Sequence, residues 1–406
     1  MIYYENVVSY KDKVYIREYD SDKKTSIFKK ETIIPKLYRT THNQSELKSF
    51  IQNHNLEEIK IKDLKDFRNV INNYKNQDIT LYGRKNSAFE YIFENYPDAP
   101  NQHHSQRTWS IDIEVTGEID KECLDPKTAW KPEYAFQEIT LIQYYDSYEK
   151  KYYILGLKDL ETPLENTKYI KFSSESNLLK GFLKLLEYQK PAILIGWNTF
   201  GYDYPYLTNR IARVLDNYKG SILDEDGKTN KELLNGAYVK TLSPFKIIQE
   251  DYKLINSKEV FSPNWIGITL EDYLHLYKKY AFTELGSFSL NSVCSHELGE
   301  QKVSYDEFEN IDEFYQKNYQ KFVEYGLKDI ELLVSLDKKL NLLQLAQSIA
   351  NMCWVSIADV RGTLKQWLNK IYNEAFLKNR ILSLDCEFKN TELEEIIKRN
   401  YYSKIK

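Results

Sequence analysis

Residues 108 to about 340 predict an α/β fold built on a sheet with at least one buried parallel strand, and three observations carry that prediction. Strand-like and helix-like segments alternate along the chain. WSIDIEV, EITLIQYYD and KYYILGL read as strands, SNLLKGFLKLLEYQ as a helix, AILIGW as a strand and YPYLTNRIARVLDNY as a helix. AILIGW is a continuous apolar run, as strands covered on both faces require. In WSIDIEVT the alternation is strict, so Trp109, Ile111, Ile113 and Val115 take one face and Ser110, Asp112, Glu114 and Thr116 the other.

At 406 residues the chain has room for two or three units, each with its own core. Residues 1–107 predict a mixed α/β N-terminal unit, with strands in VYIREYD and TSIFKKETIIPKLYR and helices in SELKSFIQNH and DLKDFRNVINNY. The polar stretch NYPDAPNQHHSQ then breaks the pattern and marks a boundary. Within 245–263, FKIIQEDYKLINSKEVFSP predicts a two-stranded hairpin turning near Asn256 and Ser257. Long helices are expected from about 313 to 376, and residues 381–406 form a lysine-rich tail. No internal repeat is visible.

Composition narrows the function classes. Four cysteines with no Cys-x-x-Cys pair and only six histidines argue against a disulfide scaffold or a structural zinc site, and suggest a reducing cytoplasm. No window approaches the roughly 18 apolar residues of a membrane span, so no membrane partner is expected. Charged residues make up 29 % of the chain but nearly cancel, leaving a net charge of −4. Any nucleic-acid contact is therefore local rather than spread over a basic surface. The 34 tyrosines and 18 phenylalanines offer flat faces for unpaired bases, although core packing accounts for most aromatic residues.

Three acidic elements stand out. Asp112 and Glu114 share one side of one strand, and two adjacent inward carboxylates repel unless a cation lies between them. Mg²⁺ prefers such oxygen ligands. A solvent-exposed pair is the alternative, since Asp-x-Glu also occurs at Asp120, Asp159, Asp329 and Asp385. The second element is AILIGWNTFGYDYP, which puts Asp203 at a strand-to-helix junction. Ligands of α/β sheets gather at such junctions, but an acid there also serves as a helix N-cap, and both readings stand. The third is FVEYGLKDIELL, whose i, i+4 spacing places Tyr325 and Asp329 on one helical face. In a chain with 60 acidic residues that spacing alone is unspecific.

Order and combination are more specific. Asp112-Ile-Glu114, then Asn198-x-x-x-x-Asp203 after an apolar strand, then Tyr325-x-x-x-Asp329 on a helix, resemble the three exonuclease motifs of family B DNA polymerases. DIEVTG, GWN followed by Asp203-x-Pro-Tyr and NRI, and DYLHLYKKYAF from Asp272 are similar to the T-even phage branch, in the same order. The likeness spans roughly residues 1 to 380. It implies a ribonuclease-H-like exonuclease domain over 108–340, and an N-terminal domain, 1–107, completed by about 341–380.

The resemblance also implies chemistry. Two divalent ions, Mg²⁺ or Mn²⁺, are expected, with Asp112 bridging both, Glu114 and Asp329 completing one site and Asp203 serving the other. Tyr325 would orient the attacking water or the scissile phosphate, because a hydroxyl of pKa about 10 is a poor base at neutral pH. Asn198 and Phe200 are expected to contact the terminal nucleotide. Lys302 matches a family lysine near the cleaved phosphate, with a solvated surface lysine as the alternative. The hairpin is expected to help separate the strand being cut, its alternative being a plain surface hairpin. The implied partner is the single-stranded 3′ end of a primer–template.

The sequence departs from the family in one respect. The Tyr-Gly-Asp-Thr-Asp-type acid pair and the Asp-x-x-Ser-Leu-Tyr-type motif of the polymerase palm do not occur in it. This polypeptide alone is therefore not expected to polymerise. A split replicative polymerase with its palm on another polypeptide, and a sliding clamp reached through the holoenzyme, is the expected context, an artificial truncation being the alternative. Cytoplasmic location is expected, in an infected host if the chain is phage-encoded. Two other functions compete: a catalytically silent binding module, which has no reason to keep all four acids, and an independent repair exonuclease, which has no reason to carry the N-terminal unit and hairpin.

Overall fold

A computed structural model describes residues 1–219, 230–255, 258–281, 283–300 and 308–384. The chain opens with an antiparallel meander of β1 (Ile2–Tyr10), β2 (Lys13–Asp20) and β3 (Thr25–Glu31). Short strands β4 (Leu37–Thr40), β5 (Lys48–Ser49) and β6 (Leu56–Glu58) follow, then α1 (Leu64–Asn76), β7 (Tyr82–Gly83) and α2 (Ser87–Asn95). Asp63 and Asn86 start the two helices by accepting backbone N–H groups of the first turn.

The expected helix over SELKSFIQNH is not formed. There β5 pairs in parallel with β18 (Arg380–Ile381), and Phe50 N–H donates to the Ile381 carbonyl at 2.9 Å. Asn53, at φ 62°, turns the chain out of helical geometry. A partner more than three hundred residues away thus overrides a local helical pattern.

Next come β8 (Thr108–Ile119), β9 (Gln137–Asp146), β10 (Lys151–Gly156), β11 (Thr167–Lys171), α3 (Glu175–Gln189), β12 (Ile193–Gly196) and α4 (Asp203–Leu215). After them are β13 (Ile248–Gln249), β14 (Tyr252–Ile255), β15 (Lys258–Phe261), β16 (Asn264–Trp265), β17 (Thr269–Asp272), α5 (Tyr273–Tyr280) and α6 (Leu290–Leu298). The described chain ends through α7 (Ile311–Lys317), α8 (Tyr319–Leu340), α9 (Leu342–Cys353), α10 (Thr363–Phe376) and β18. The expected hairpin is present, with Ile255 paired to Lys258, so that its turn falls on residues 256–257, outside the described residues.

Six strands form the central sheet in the order β11-β10-β9-β8-β12-β17. β9 runs antiparallel to β8 and β10, whereas β12 is parallel to both β8 and β17. The α/β class read from the sequence is the one observed. Trp109, Ile111, Ile113 and Val115 bury one face of β8 in the main core with residues of α3 and α4. The opposite face, the one carrying Asp112 and Glu114, is covered by α7 and α8 through Leu141, Ile154, Phe314, Phe322 and Val323.

The meander is fastened to this sheet by Arg17, whose side chain is 1 % exposed. Its guanidinium donates to Glu5 Oε2 at 2.7 Å, to the Pro191 carbonyl at 2.6 Å and to the Lys190 carbonyl at 2.5 Å. Residues beyond α8 also return to the N-terminal region. Trp354 packs with Tyr4, Tyr91 and Tyr96, and Tyr372 and Ile381 pack with Tyr38, Leu56 and Tyr82. Among the described residues no helix is long and apolar enough to cross a membrane.

Candidate active site

The geometry of the site follows from where β12 stops. It pairs with β8 only as far as Ile195 opposite Ser110, then parts from β8 at Gly196, which still pairs with Asp272 of β17. A Cβ on Gly196 would collide with the Ile111 carbonyl oxygen and the Thr199 methyl, so a glycine is needed for this close departure. Beyond that point the edge of β8 is taken up by a side chain. Asp203, at the first position of α4, accepts the Ile113 N–H through Oδ1 at 3.2 Å. Its carboxylate thus meets β8 at the residue between Asp112 and Glu114.

The N-cap alternative for Asp203 is not realised, since Tyr202 occupies the cap and no side chain caps the helix. Asp203 is 5 % exposed, and burial pushes its carboxyl up to about 7, with the nearby Asp272 adding to the effect against two backbone N–H groups that oppose it.

The helix that carries the fourth acid packs on the face of the sheet that bears Asp112 and Glu114. Asp112 pairs with Gln143 of β9, and Gly326 of α8 sits directly on that glutamine, where a Cβ would overlap Nε2. Gly326 lies between Tyr325 and Asp329, so the helix carrying them approaches the acid-bearing face closely. Asp329 is 9 % exposed, and Tyr325 is half-buried with its ring edge-on to Phe314. α7 ties down the end of β8, where Asp312 Oδ1 accepts from the Thr116 hydroxyl and from Gly117 N–H.

As the side chains lie, no group of three or more His, Cys, Asp and Glu residues among the described residues is disposed to hold a metal ion. The donor set is nonetheless chemically suited to a hydrated divalent cation. It consists of carboxylates, and beside Asp112 the carboxamide of Gln143 is fully buried with neither polar atom partnered among the described residues. Carboxylate oxygens can ligate such an ion or accept hydrogens from its waters, and water in the site can donate to the Gln143 amide oxygen and accept from its N–H.

Three residues of this region have surroundings that the sequence does not disclose. Phe200 is 1 % exposed, packed in the main core beneath Arg361 and edge-on to His275, and offers no open face to a nucleotide. Tyr202, two positions on, is half-buried and lies near Asp203, Glu114 and Asp112, whose charges add to burial in raising its hydroxyl pKa. Asp272 was noted only as part of a likeness, yet it organises the loop before Asp203. Its carboxylate accepts N–H groups from Asn198 at 3.0 Å, Phe200 at 3.2 Å and Leu274 at 3.0 Å. Its place at the end of β17, just before α5, was the available signal. Asn198 is exposed, and Lys302 lies outside the described residues.

Comparison with known proteins gives the same direction. Residues 41–293 match the family model for the exonuclease domain of DNA polymerase family B, a match that begins inside the N-terminal segment. The DNA-directed DNA polymerase of Enterobacteria phage T4 is 27 % identical over 375 residues, covering 86 % of this chain and 38 % of that protein. That of Escherichia phage RB69 is 24 % identical over 328 residues, covering 74 % and 33 %. The DNA polymerase catalytic subunit of Alcelaphine herpesvirus 1 is 28 % identical over 251 residues, covering 58 % and 22 %. The chain thus spans between about a third and two fifths of the T4 and RB69 proteins. With the family model matched over more than half of its length, the chain belongs to the family B DNA polymerases and contains their exonuclease domain.

Proposed function

We propose that this chain is a 3′→5′ exonuclease that hydrolyses the terminal nucleotide from a single-stranded DNA 3′ end. Asp112, Glu114, Asp203 and Asp329 would hold two divalent cations, Mg²⁺ or Mn²⁺. Bound cations supply Lewis acidity for in-line displacement at phosphorus and offset charge on the leaving 3′ oxygen. The observation that carries this reading is the Asp203 carboxylate on Ile113 N–H, between Asp112 and Glu114, on a strand that α8 covers.

The protein's own groups would then position and select. Tyr325 would orient the attacking water or the phosphate through its hydroxyl. Tyr202 supplies an aromatic face near the acids, and the exposed Asn198 an amide, for the terminal nucleotide. Lys302 is kept as a candidate phosphate contact on resemblance alone. A mismatched end frays more readily than a paired one, so a site that accepts only single strands selects errors by melting.

The N-terminal unit, 1–107, is proposed to be completed by about 341–380, with 108–340 as the exonuclease unit. The primer–template, a palm-bearing polymerase polypeptide and a clamp are proposed as partners from likeness to the polymerases above.

Digestion of a 5′-labelled single strand with Mg²⁺ tests the reading. A ladder of 3′-shortened products is expected, abolished by a chelator and by Asp112→Ala. An undiminished ladder from the alanine variant would place the chemistry elsewhere. The hairpin β14–β15 is proposed to keep the frayed strand apart. Shortening it to a tight turn is expected to reduce the preference for mismatched over paired ends several-fold, with cleavage of single strands unchanged. An unaltered preference removes that role.

A further inference from the structure

The loop that delivers Asp203 is held from outside the exonuclease family match, by Arg361. This residue ends a 3-10 turn, Ile357–Arg361, between α9 and α10. Its guanidinium lies 4.6 Å from the centre of the Phe200 ring. The same group donates through Nη1 to the Leu270 carbonyl at 3.2 Å and to the Glu271 carboxylate at 3.3 Å. Glu271 is fully buried, and Arg361 is 23 % exposed, so a planar cation reaches in from the surface and closes over both. Lys279 of α5 fixes the turn by donating to the carbonyls of Val360 at 2.7 Å and Arg361 at 2.9 Å.

Both targets of Arg361 belong to the machinery that shapes the loop. Phe200 N–H is one of the three groups on the Asp272 carboxylate, and the Glu271 carbonyl accepts the Thr199 hydroxyl at 3.1 Å and the Tyr204 hydroxyl at 2.8 Å. Asp203 lies between residues so anchored. We infer that Arg361 is a positioning residue for the exonuclease reaction, clamping Phe200 and β17 so that the 197–203 loop presents Asp203 to β8. This rests on the exonuclease reading above. It gives the segment after α9 a part in catalysis without any contact to substrate. A planar guanidinium suits the task because it stacks on a ring and bonds in its own plane at once, as an ammonium does not.

Removing Arg361 outright takes a cation away from the buried Glu271 carboxylate, so two gentler variants carry the test. Arg361→Lys keeps a cation for Glu271 but loses the flat face on Phe200. Arg361→Gln combined with Glu271→Gln removes both charges. On a 5′-labelled single strand, each is expected to lower kcat about tenfold with KM within about twofold, and to raise the Mg²⁺ concentration for half-maximal rate. Folding is followed by thermal melting, expected within a few degrees of wild type for the lysine variant.

Phe200→Leu in the lysine background is expected to add little further loss, because both changes release one clamp. Wild-type kcat and Mg²⁺ dependence in both variants, with Asp203→Asn inactive, overturns the role of Arg361. So does full additivity with Phe200→Leu. An active Asp203→Asn removes Asp203 from the chemistry instead, and the absence of trimming by the wild-type protein overturns the exonuclease reading.

Discussion

Asp203→Asn is expected to lower 3′-end trimming by at least about 10³-fold while leaving the fold as stable as wild type or more so. The two effects separate because of how this acid is held. Asparagine keeps the oxygen that accepts the Ile113 N–H at 3.2 Å, so the junction of β8 with α4 is preserved. What disappears is the negative charge. Burial already disfavours that charge, holding the carboxyl near 7, so a neutral isostere relieves a cost in the protein without cations. Single-turnover digestion and thermal melting on the same preparation read both halves. Trimming within tenfold of wild type would exclude Asp203 from the chemistry, and a large fall in melting temperature would reassign it to structure.

Arg17→Met is expected to reduce unfolding free energy at pH 7 by about 3–5 kcal/mol, the usual penalty for stranding the partner of a buried ion pair. Glu5 and Arg17 side chains are each 1 % exposed, and the guanidinium also serves carbonyls of Pro191, Lys190 and Gly267. Those three residues precede β12 and β17, so one side chain fastens the N-terminal meander to the parallel half of the central sheet. Burial raises the Glu5 carboxyl, but Arg17, with help from His104 at 3.2 Å, outweighs it and holds the group below its ordinary value.

The sign of the pH dependence follows. A carboxyl depressed in the folded state stabilises above its unfolded pKa of about 4.3, and that contribution is lost as pH falls through the folded value. Without Arg17 the opposing burial dominates, so acidification from pH 7 toward 5 should recover part of the lost stability. Urea titrations at the two pH values measure this. A loss below about 1 kcal/mol at pH 7 would mean that the pair contributes little.

What the sequence disclosed depended on how local the cause was. The period of two in WSIDIEVT and the apolar run AILIGW are properties of single strands, and both strands formed as read. Asp112, Glu114, Asp203 and Asp329 were singled out because four acids in a fixed order on strand, junction and helix are far rarer than any one of them. SELKSFIQNH was misread because its fate is decided by Arg380 and Ile381. Phe200 was expected at the terminal nucleotide from the likeness of its motif, and nothing in NTFGYD reveals that Arg361 covers its ring. Gly326 gave no hint of its closeness to Gln143, since a helix sequence does not name the strand it lands on. Such features arise from contacts between distant segments.

The return of the late segment onto the N-terminal strands bears on the order in which the protein is made. Tyr38, Leu56 and Tyr82 share a cluster with Tyr372, Ala375 and Ile381, and β5 pairs with β18 in a two-stranded sheet. During vectorial synthesis the first hundred residues leave the ribosome with that cluster half built, and it closes only after residue 381 has emerged. The nuclease core, whose strands lie nearer one another in sequence, can assemble earlier. A fragment ending at residue 340 accordingly keeps the four acids but loses Arg361 from Phe200 and Glu271, and it bares the apolar side chains of Tyr38, Leu56 and Tyr82 and of Ile193, Ile195 and Tyr273, where a chaperone has most to bind.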